Sequence, residues 1–413
     1  AQKNLKVDTG KLSRQIGVCK KSQQPIDDLL VKMRTIKVQK QALQEQQNVC
    51  EEKLDSILNE LKAVELVDEK ASKPSEPAIE LDCSKVMIAE YAEAYQTECA
   101  LFLNEQPGAS IYHFPVWCSL IEKVFGHDYF YLLARYENKV VGVLPVVMLR
   151  SRLFGNFGVS MPYFNYGGPL AKTPEVEALL LGEARKRAGA EQLEHVEYRC
   201  IHDLQDLPGH KDKVSMWLEL PGAAEQLWQT IGTKIRAQIK KAERYQFVVQ
   251  IGGEELLESF YRVFAENMRD LGTPVYSKTF FAEILRAGAG ARQIVVVSTK
   301  EGKPVSASFL IGFNGRLEVP WASTLRKYNR YNANMLLYWQ MLKFACEQGY
   351  SVFDFGRSSV DASTLRFKKQ WGAQPVQLSW HYWLPDNAEL PQLNTHNPKF
   401  QLAIKIWQKL PVW

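Results

Sequence analysis

Between Ile26 and Val64 the apolar residues recur with heptad spacing. One series runs Ile26, Met33, Lys40, Gln47, Leu54, Leu61 and the other Leu29, Ile36, Leu43, Cys50, Ile57, Val64. The series interleave by three and four residues, which puts both on one helical stripe and predicts a coiled coil over 26–67. At 1.5 Å per residue such a helix runs about 60 Å. Lys40 and Gln47 interrupt one series at its middle, where polar residues fix register and partner number; both series run unbroken in spacing, so self-association is favoured over a lone helix lying on the protein body. Residues 1–25 read as a flexible N-terminus, and 68–85, with Ser, Pro and charge, as a linker.

From Tyr91 the pattern becomes that of packed strands and helices, and it repeats. Tyr112–Leu120 (YHFPVWCSL) is echoed 164 residues later by Tyr276–Ile284 (YSKTFFAEI). At the same offset, Tyr131–Pro145 (YLLARYENKVVGVLP) is echoed by Val295–Phe309 (VVVSTKEGKPVSASF). Each copy predicts an aromatic helix, a strand, a tight polar turn (Glu137-Asn138-Lys139; Glu301-Gly302-Lys303) and a second strand. A further strand, a helix (Glu175–Ala188; Asn334–Gln348) and another strand (Val196–Arg199; Ser351–Phe355) follow in each. The expectation is an α/β (α+β) architecture of two similar domains, 86–222 and 223–385, the second opened by a basic helix, Leu227–Tyr245. Residues 386–413 form a tail in which Phe400, Ala403, Ile404, Trp407 and Leu410 line one face of an amphipathic helix. That helix suits either a membrane interface or the protein body.

Composition sharpens the division. None of the 10 Trp, 17 Tyr and 19 Phe precedes Tyr91, so the first segment lacks the rings from which a globular core is built. A net charge of +5 permits an anionic partner without arguing for nucleic acid. The seven cysteines are scattered and lack zinc or redox spacing, which reads as free buried thiols in a reducing compartment. With no signal peptide and no apolar run of ~18 residues, the sequence reads as cytoplasmic, with peripheral inner-membrane contact through 398–413 as an added possibility.

Serine-elbow, phosphate-loop and metal-ligand signatures are missing, and no metal is expected. Two constellations remain. In Thr233–Tyr245, Arg236, Lys240 and Arg244 share one helix face beside Lys234 and Lys241; the face suits either a pyrophosphate or RNA backbone, or simply solvent. In FDFGRSSVDASTLRFKKQWG (Phe353–Gly372) a strand aims Asp354 away from Phe353 and Phe355. Gly356 then turns the chain into a polar loop with Arg357 and Asp361, ahead of Phe367-Lys368 and Trp371. Cations and rings at a strand's carboxyl end suit an anionic substrate better than a packing role. Asp354 is the candidate to orient or deprotonate an acceptor amine.

The segments NYGGPL (165–170), KVSMWLELP (213–221), NMRDLGTPV (267–275), VPWAST (319–324), NMLLYWQ (334–340), FDFGRS and FKKQWG resemble FemAB-type proteins, most nearly the branch associated with PEP-CTERM/exosortase polysaccharide systems. The resemblance implies two tandem GNAT-like domains behind the coiled coil, with the cleft formed mainly by the second. It implies transfer of an acyl or aminoacyl group to an amine or hydroxyl on an envelope polysaccharide or a lipid- or nucleotide-linked precursor. The donor is aminoacyl-tRNA or acyl-CoA, and no cofactor is permanently bound. An acyl-CoA-dependent N-acetyltransferase and a non-catalytic scaffold of a polysaccharide export system are the competing readings. By resemblance, Arg236 holds a diphosphate and Lys368 contacts phosphate. Lys234, Lys240, Arg269, Trp321, Tyr328, Asn334, Arg357 and Trp371 complete the expected substrate contacts, and Arg236, Arg357 and Lys368 are expected to share one cleft. The slot where acetyl-CoA enzymes carry glycines reads Arg326-Lys327-Tyr328-Asn329-Arg330-Tyr331. Its side chains hinder backbone amides from cradling a pyrophosphate.

Overall fold

A computed structural model describes residues 81–391, apart from 152–154, 289, 360, 361 and 387, together with Thr35. The chain divides into Ala1–Glu80 and Leu81–Trp413. The heptad segment 26–64, the amphipathic segment 398–413 and Asp361 lie outside the described residues.

Among the described residues thirteen strands form one sheet. In the first half they are β1 (Met87–Glu90), β2 (Tyr129–Tyr136), β3 (Lys139–Ser151), β4 (Gly155–Val159), β5 (Leu170–Ala171), β6 (Val196–Cys200) and β7 (Gly209–Glu219). In the second they are β8 (Val248–Gly252), β9 (Ala291–Ser298), β10 (Pro304–Phe313), β11 (Arg316–Thr324), β12 (Val352–Ser359) and β13 (Gln374–Trp383). The spatial order is β1-β2-β3-β4-β6-β13-β7-β12-β11-β10-β9-β8, with β5 against β3. From either edge the sequence of pairings is the same: three antiparallel and then one parallel, β4 with β6 and β11 with β12. The hairpins β2/β3 and β9/β10, joined by the 164-residue echo, occupy equivalent places. The first turns on Glu137 and Asn138, at φ 48 and 65, and the second has Gly302 at φ 78. Positive φ at both central residues is the twist a two-residue hairpin needs.

The last strand of each half is exchanged. β7 follows β6 in the chain but pairs with β12, and β13 ends the second half but pairs with β6; the two exchanged strands then pair with each other. Residue 222 therefore separates the halves along the chain but not within the sheet. The reason is in the residues: Val214, Met216 and Leu218 of β7 alternate into the core of the second half.

Three cores follow. Helix Pro174–Ala190 covers one face of the first half. Helices Thr233–Glu243 and Ala333–Glu347 cover the corresponding face of the second. On the opposite face, helices Gln96–Glu105, Val116–Phe125, Leu257–Leu271 and Lys278–Arg286 from both halves share one aromatic-rich core. Strands β3 and β10 are buried on both faces, and for this reason Val140–Leu149 of β3 reads as an unbroken apolar run while β10 holds only small polar residues, Ser306 and Ser308, among its apolar ones.

Two expectations need correction. The basic helix read over 227–245 is two helices, Ala224–Thr230 and Thr233–Glu243, broken where Ile231 is extended and Gly232 caps the second. The polar loop read after Asp354 is a continuation of β12 to Ser359, because β7 supplies partners for Arg357, Ser358 and Ser359. Phe367 and Lys368 then lie on a helix, Ser363–Gln370.

Candidate active site

β11 and β12 run parallel and pair from Arg316/Val352 to Glu318/Asp354. Beyond that point β12 continues along β7 and β11 along β10. Leu317, Val319, Phe353 and Phe355 enter the core beneath helix Ala333–Glu347. Two-residue alternation therefore turns Arg316, Glu318 and Asp354 to the shared face. The strands part at two adjacent, buried carboxyl groups.

Both are enclosed by donors from the first half and β7. Tyr112 donates its hydroxyl to Glu318 Oε2 at 2.7 Å and Asn165 its amide to Oε1 at 3.2 Å. Asp354 accepts from the Tyr166 hydroxyl (2.5 Å), the Ser215 hydroxyl (2.7 Å) and the Gly356 N–H (2.8 Å). Trp217 Nε1 donates to Tyr166 at 3.2 Å. Burial, then the neighbouring Asp354, raises the Glu318 carboxyl to about 7. Burial first and the carboxylates second also hold the Tyr112 and Tyr166 phenols well above their usual range.

Gly356 sits at φ +75 in a bulge between Asp354 and Arg357. The extra residue returns Arg357 to the face that carries Asp354. There its guanidinium lies 4.8 Å from the centre of the Trp380 ring, and Arg199 lies 4.4 Å from the same ring. Arg199 is held by Glu197 (2.7 Å) and the Phe164 carbonyl (2.6 Å). The Arg357 guanidinium makes no hydrogen bond or ion pair with a described residue; burial, then Arg199, lowers its pKa. Lys368 is 7% exposed, and its amine donates to the carbonyls of Gly356 (2.8 Å) and Arg357 (2.9 Å). Burial lowers that amine to about 8.

The residues expected from sequence scatter around this centre. Asp354 is where it was expected but is 0% exposed with both oxygens engaged, so it organises the site from behind and does not meet an acceptor. Arg357 and Lys368 meet at the end of β12. Arg236 does not join them: its helix packs on the opposite sheet face, and the side chain donates to the Trp228 carbonyl at 3.4 Å. Lys234 and Lys240 are exposed on that helix. Trp371, 2% exposed among Tyr338 and Phe367, is a core residue and no ligand contact. Trp321 belongs to the shared aromatic core beside Tyr276 and Phe281. Arg269 binds Asp270 at 2.8 Å. Tyr328 packs near Tyr331, and Asn334 lies half-buried on helix Ala333–Glu347.

Sequence reading missed Glu318, Tyr112, Arg316, Arg199 and Trp380, and gave Asn165, Tyr166, Ser215 and Trp217 no role. A signal existed: Glu318 is the lone acid in the apolar run LEVPWA, and three of the segments that carry the family likeness supply the donors to its neighbour Asp354.

Among the described residues no group of three or more His, Cys, Asp or Glu side chains is placed to hold a metal. Cys83, Cys99, Cys118, Cys200 and Cys346 are free thiols.

Residues 232–369 match the family model described as Acetyltransferase (GNAT) domain. No curated protein matches the sequence. The solved structure of FemX superposes with a TM-score of 0.59 at 13% identity, over 77% of this chain and 100% of that one. A conserved protein of unknown function from Bacteroides thetaiotaomicron VPI-5482 superposes with a TM-score of 0.50 at 10% identity, over 73% of this chain and 100% of that one. L-PGS from Bacillus licheniformis gives 0.48 at 13% identity, over 76% and 97%. FemX and the Bacteroides thetaiotaomicron protein share the fold, a mixed α/β arrangement running through both halves. The match over 232–369 marks the protein as a transferase.

Proposed function

We propose that the enzyme transfers an acyl or aminoacyl group to an amine or hydroxyl on an envelope polysaccharide or a lipid- or nucleotide-linked precursor. The observation that carries this reading is the meeting, where β11 and β12 part, of a carboxyl titrating near neutrality, a depressed lysine and an unpaired guanidinium. Arg357, backed by the Trp380 ring, takes the acceptor's anionic group. Glu318 takes the acceptor's proton, once the acceptor displaces the long 3.2 Å contact from Asn165. The Lys368 amine spends two of its three N–H donors on backbone carbonyls; the third and its charge serve the oxyanion that forms at the carbonyl under attack. An unprotonated amine attacks the donor's ester or thioester carbonyl without a protein nucleophile; the tetrahedral intermediate collapses by breaking the donor's C–O or C–S bond, and the departing oxygen or sulfur leaves with the proton that Glu318 took.

Aminoacyl-tRNA is the favoured donor. Ahead of helix Ala333–Glu347, Arg326–Tyr331 forms a 3₁₀ turn in which Tyr328 N–H binds Leu325 O and Asn332 N–H binds Asn329 O. Without glycine, and with these amides engaged, the turn is a poor cradle for a CoA pyrophosphate. The domain match keeps an acyl-CoA donor as the second reading.

Mass spectrometry of envelope polysaccharide and lipid-linked intermediates tests the reading. A mass increment equal to an acyl or aminoacyl group is expected in cells with the gene, and not in cells without it or with Glu318→Gln. Identical spectra would overturn it. Purified protein incubated with labelled aminoacyl-tRNA or labelled acyl-CoA and the modified precursor's parent decides the donor.

A further inference from the structure

The sheet has two edges, and they are finished differently. β1 carries Glu90, paired with Arg187 at 2.7 Å, and follows the ion pair of Lys85 with Asp82. Charge of this kind deters a further chain from adding to an edge. β8, at the other end, reads VVQIG, with no charge and no proline. Its register with β9 is unbroken from Val248 to Gly252, so no bulge twists it away. Among the described residues no strand lies on its outer side. Val248 is 48% exposed and Ile251 40%, and Tyr245, just ahead of the strand, is 44% exposed. Unpaired backbone groups with apolar side chains beside them form a template for one more strand.

The strand that fits this template is β8 itself. Two-residue alternation puts Val249 and Ile251 on the face where Val249 packs against the core of the second half. When a second copy lies antiparallel on a twofold axis through Gln250, Val249 faces the partner's Ile251, and Ile251 faces the partner's Val249. The apolar face of one copy then runs on into that of the other. On the opposite face the two Gln250 side chains meet on the axis. The charges outside the strand match in the same orientation. The chain enters β8 past Lys240, Lys241 and Arg244, with Glu243 among them, and leaves it towards Glu254 and Glu255. Antiparallel pairing sets Tyr245 opposite the partner's Glu255 and Gln246 opposite the partner's Glu254, which brings Arg244 alongside both carboxylates. Arg244 makes no ion pair with a described residue. Glu255 accepts the Gly253 N–H at 2.9 Å and Glu254 forms an exposed pair with Arg286, and each carboxylate keeps further lone pairs for a second partner. Parallel pairing would set cations against cations.

We propose that β8 is the interface between two copies of this chain, joined antiparallel about Gln250 so that their sheets become one. The contact uses the same strand on both sides and therefore closes on itself, as a twofold interface must. The point where β11 and β12 part lies three strands in from this edge. Each copy thus keeps its own candidate site, and the inference stands or falls apart from the transfer reaction proposed above.

Thiol crosslinking of the full chain tests it, with linked peptides identified by mass spectrometry. Gln250→Cys should give a link between the two residues 250 with a short thiol-to-thiol reagent, because directly opposed side chains in an antiparallel pair lie about 4.5–5.5 Å apart at Cβ. Lys300→Cys, exposed in the β9/β10 turn at the same edge, should give little or none, because the axis holds its two copies roughly 25 Å apart. Adding Ile251→Lys to Gln250→Cys sets an ammonium against Val249 twice and should cut the link about fivefold or more. Ile251 is exposed enough for the variant to keep its fold, which an unchanged Tm would verify. A dimer held through the heptad segment alone would link 250 no better than 300. A foreign strand or the chain's own tail on β8 would leave 250 unlinked. Either result, or a link that Ile251→Lys does not weaken, would overturn the proposal.

Discussion

Glu318 keeps a proton that an ordinary glutamate gives up, and both stability and rate should register it. Its carboxyl titrates near 7 in the folded chain against 4.5 for the free side chain. Between those values the unfolded chain has released the proton and the folded chain still holds it, so stability falls as pH rises from about 4.5 to about 7. Glu318→Gln removes that slope, and urea denaturation at pH 5 and pH 7.5 should show a smaller loss for the variant than for the parent. Activity runs the other way, because a base works ionised. Transfer should rise as pH approaches 7 and fall above about 8, where the Lys368 amine loses its charge. Glu318→Gln should lose the rising limb and drop kcat by roughly 10²- to 10⁴-fold. A full-rate variant with an unchanged pH profile would remove Glu318 from the chemistry. Asp354 makes the contrasting case. Replacing it by Ala leaves three donors, from Tyr166, Ser215 and Gly356, without their acceptor in a buried site. That should cost about 3 kcal/mol or more by chemical denaturation.

At the scale of elements, much was legible because the cause is local. The turn at Glu137-Asn138 and the apolar runs beside it specify a hairpin within about fifteen residues. The FDF alternation likewise points Asp354 away from its aromatic neighbours before any partner is known. What was not legible depends on partners distant in sequence. Nothing near Gly356 says whether the chain turns into a loop or continues as a bulged strand; β7, more than a hundred residues earlier, decides it. Glu318 was passed over for the same reason. An acid on a strand ordinarily faces water, and its enclosure depends on Tyr112 and Asn165 from the other half. The bulge can be tested by Gly356→Ala. The added carbon would lie 3.4 Å from the Val319 carbonyl, so there is room, but φ +75 strains an L-residue by roughly 1–2 kcal/mol. Relief of that strain should rotate Arg357 off Trp380. The expected result is a modest fall in Tm with a rise in KM for the acceptor of about tenfold; unchanged KM would separate the bulge from binding.

Across the whole molecule, the strand exchange makes the halves interdependent. A GNAT-like half that kept its own last strand could be cut free and fold. Here the chain from 81 to 222 ends in β7, whose Val214, Met216 and Leu218 are built to enter the other half's core. The chain from 223 to 391 ends in β13, whose neighbours are β6 and β7. Separated, each fragment would carry one strand without its native partner and expose the bare edge where the missing strand belongs. Each would also lose half of the shared aromatic core, in which Phe164 meets Phe280 and Trp321 across the join. Exposed apolar edges of this kind aggregate. Fragments 81–222 and 223–391 expressed singly should therefore be insoluble or lack a cooperative thermal transition. Expressed together they should co-purify as a one-to-one complex with a single transition close to that of the uncut unit. The same dependence shows in the two buried carboxyls, which belong to the second half while most of their donors come from the first: the candidate site exists only in the assembled pair. A monomeric, cooperatively folding fragment from either side, by size exclusion and calorimetry, would show that the exchange is an ornament of the sheet and that the halves are separable.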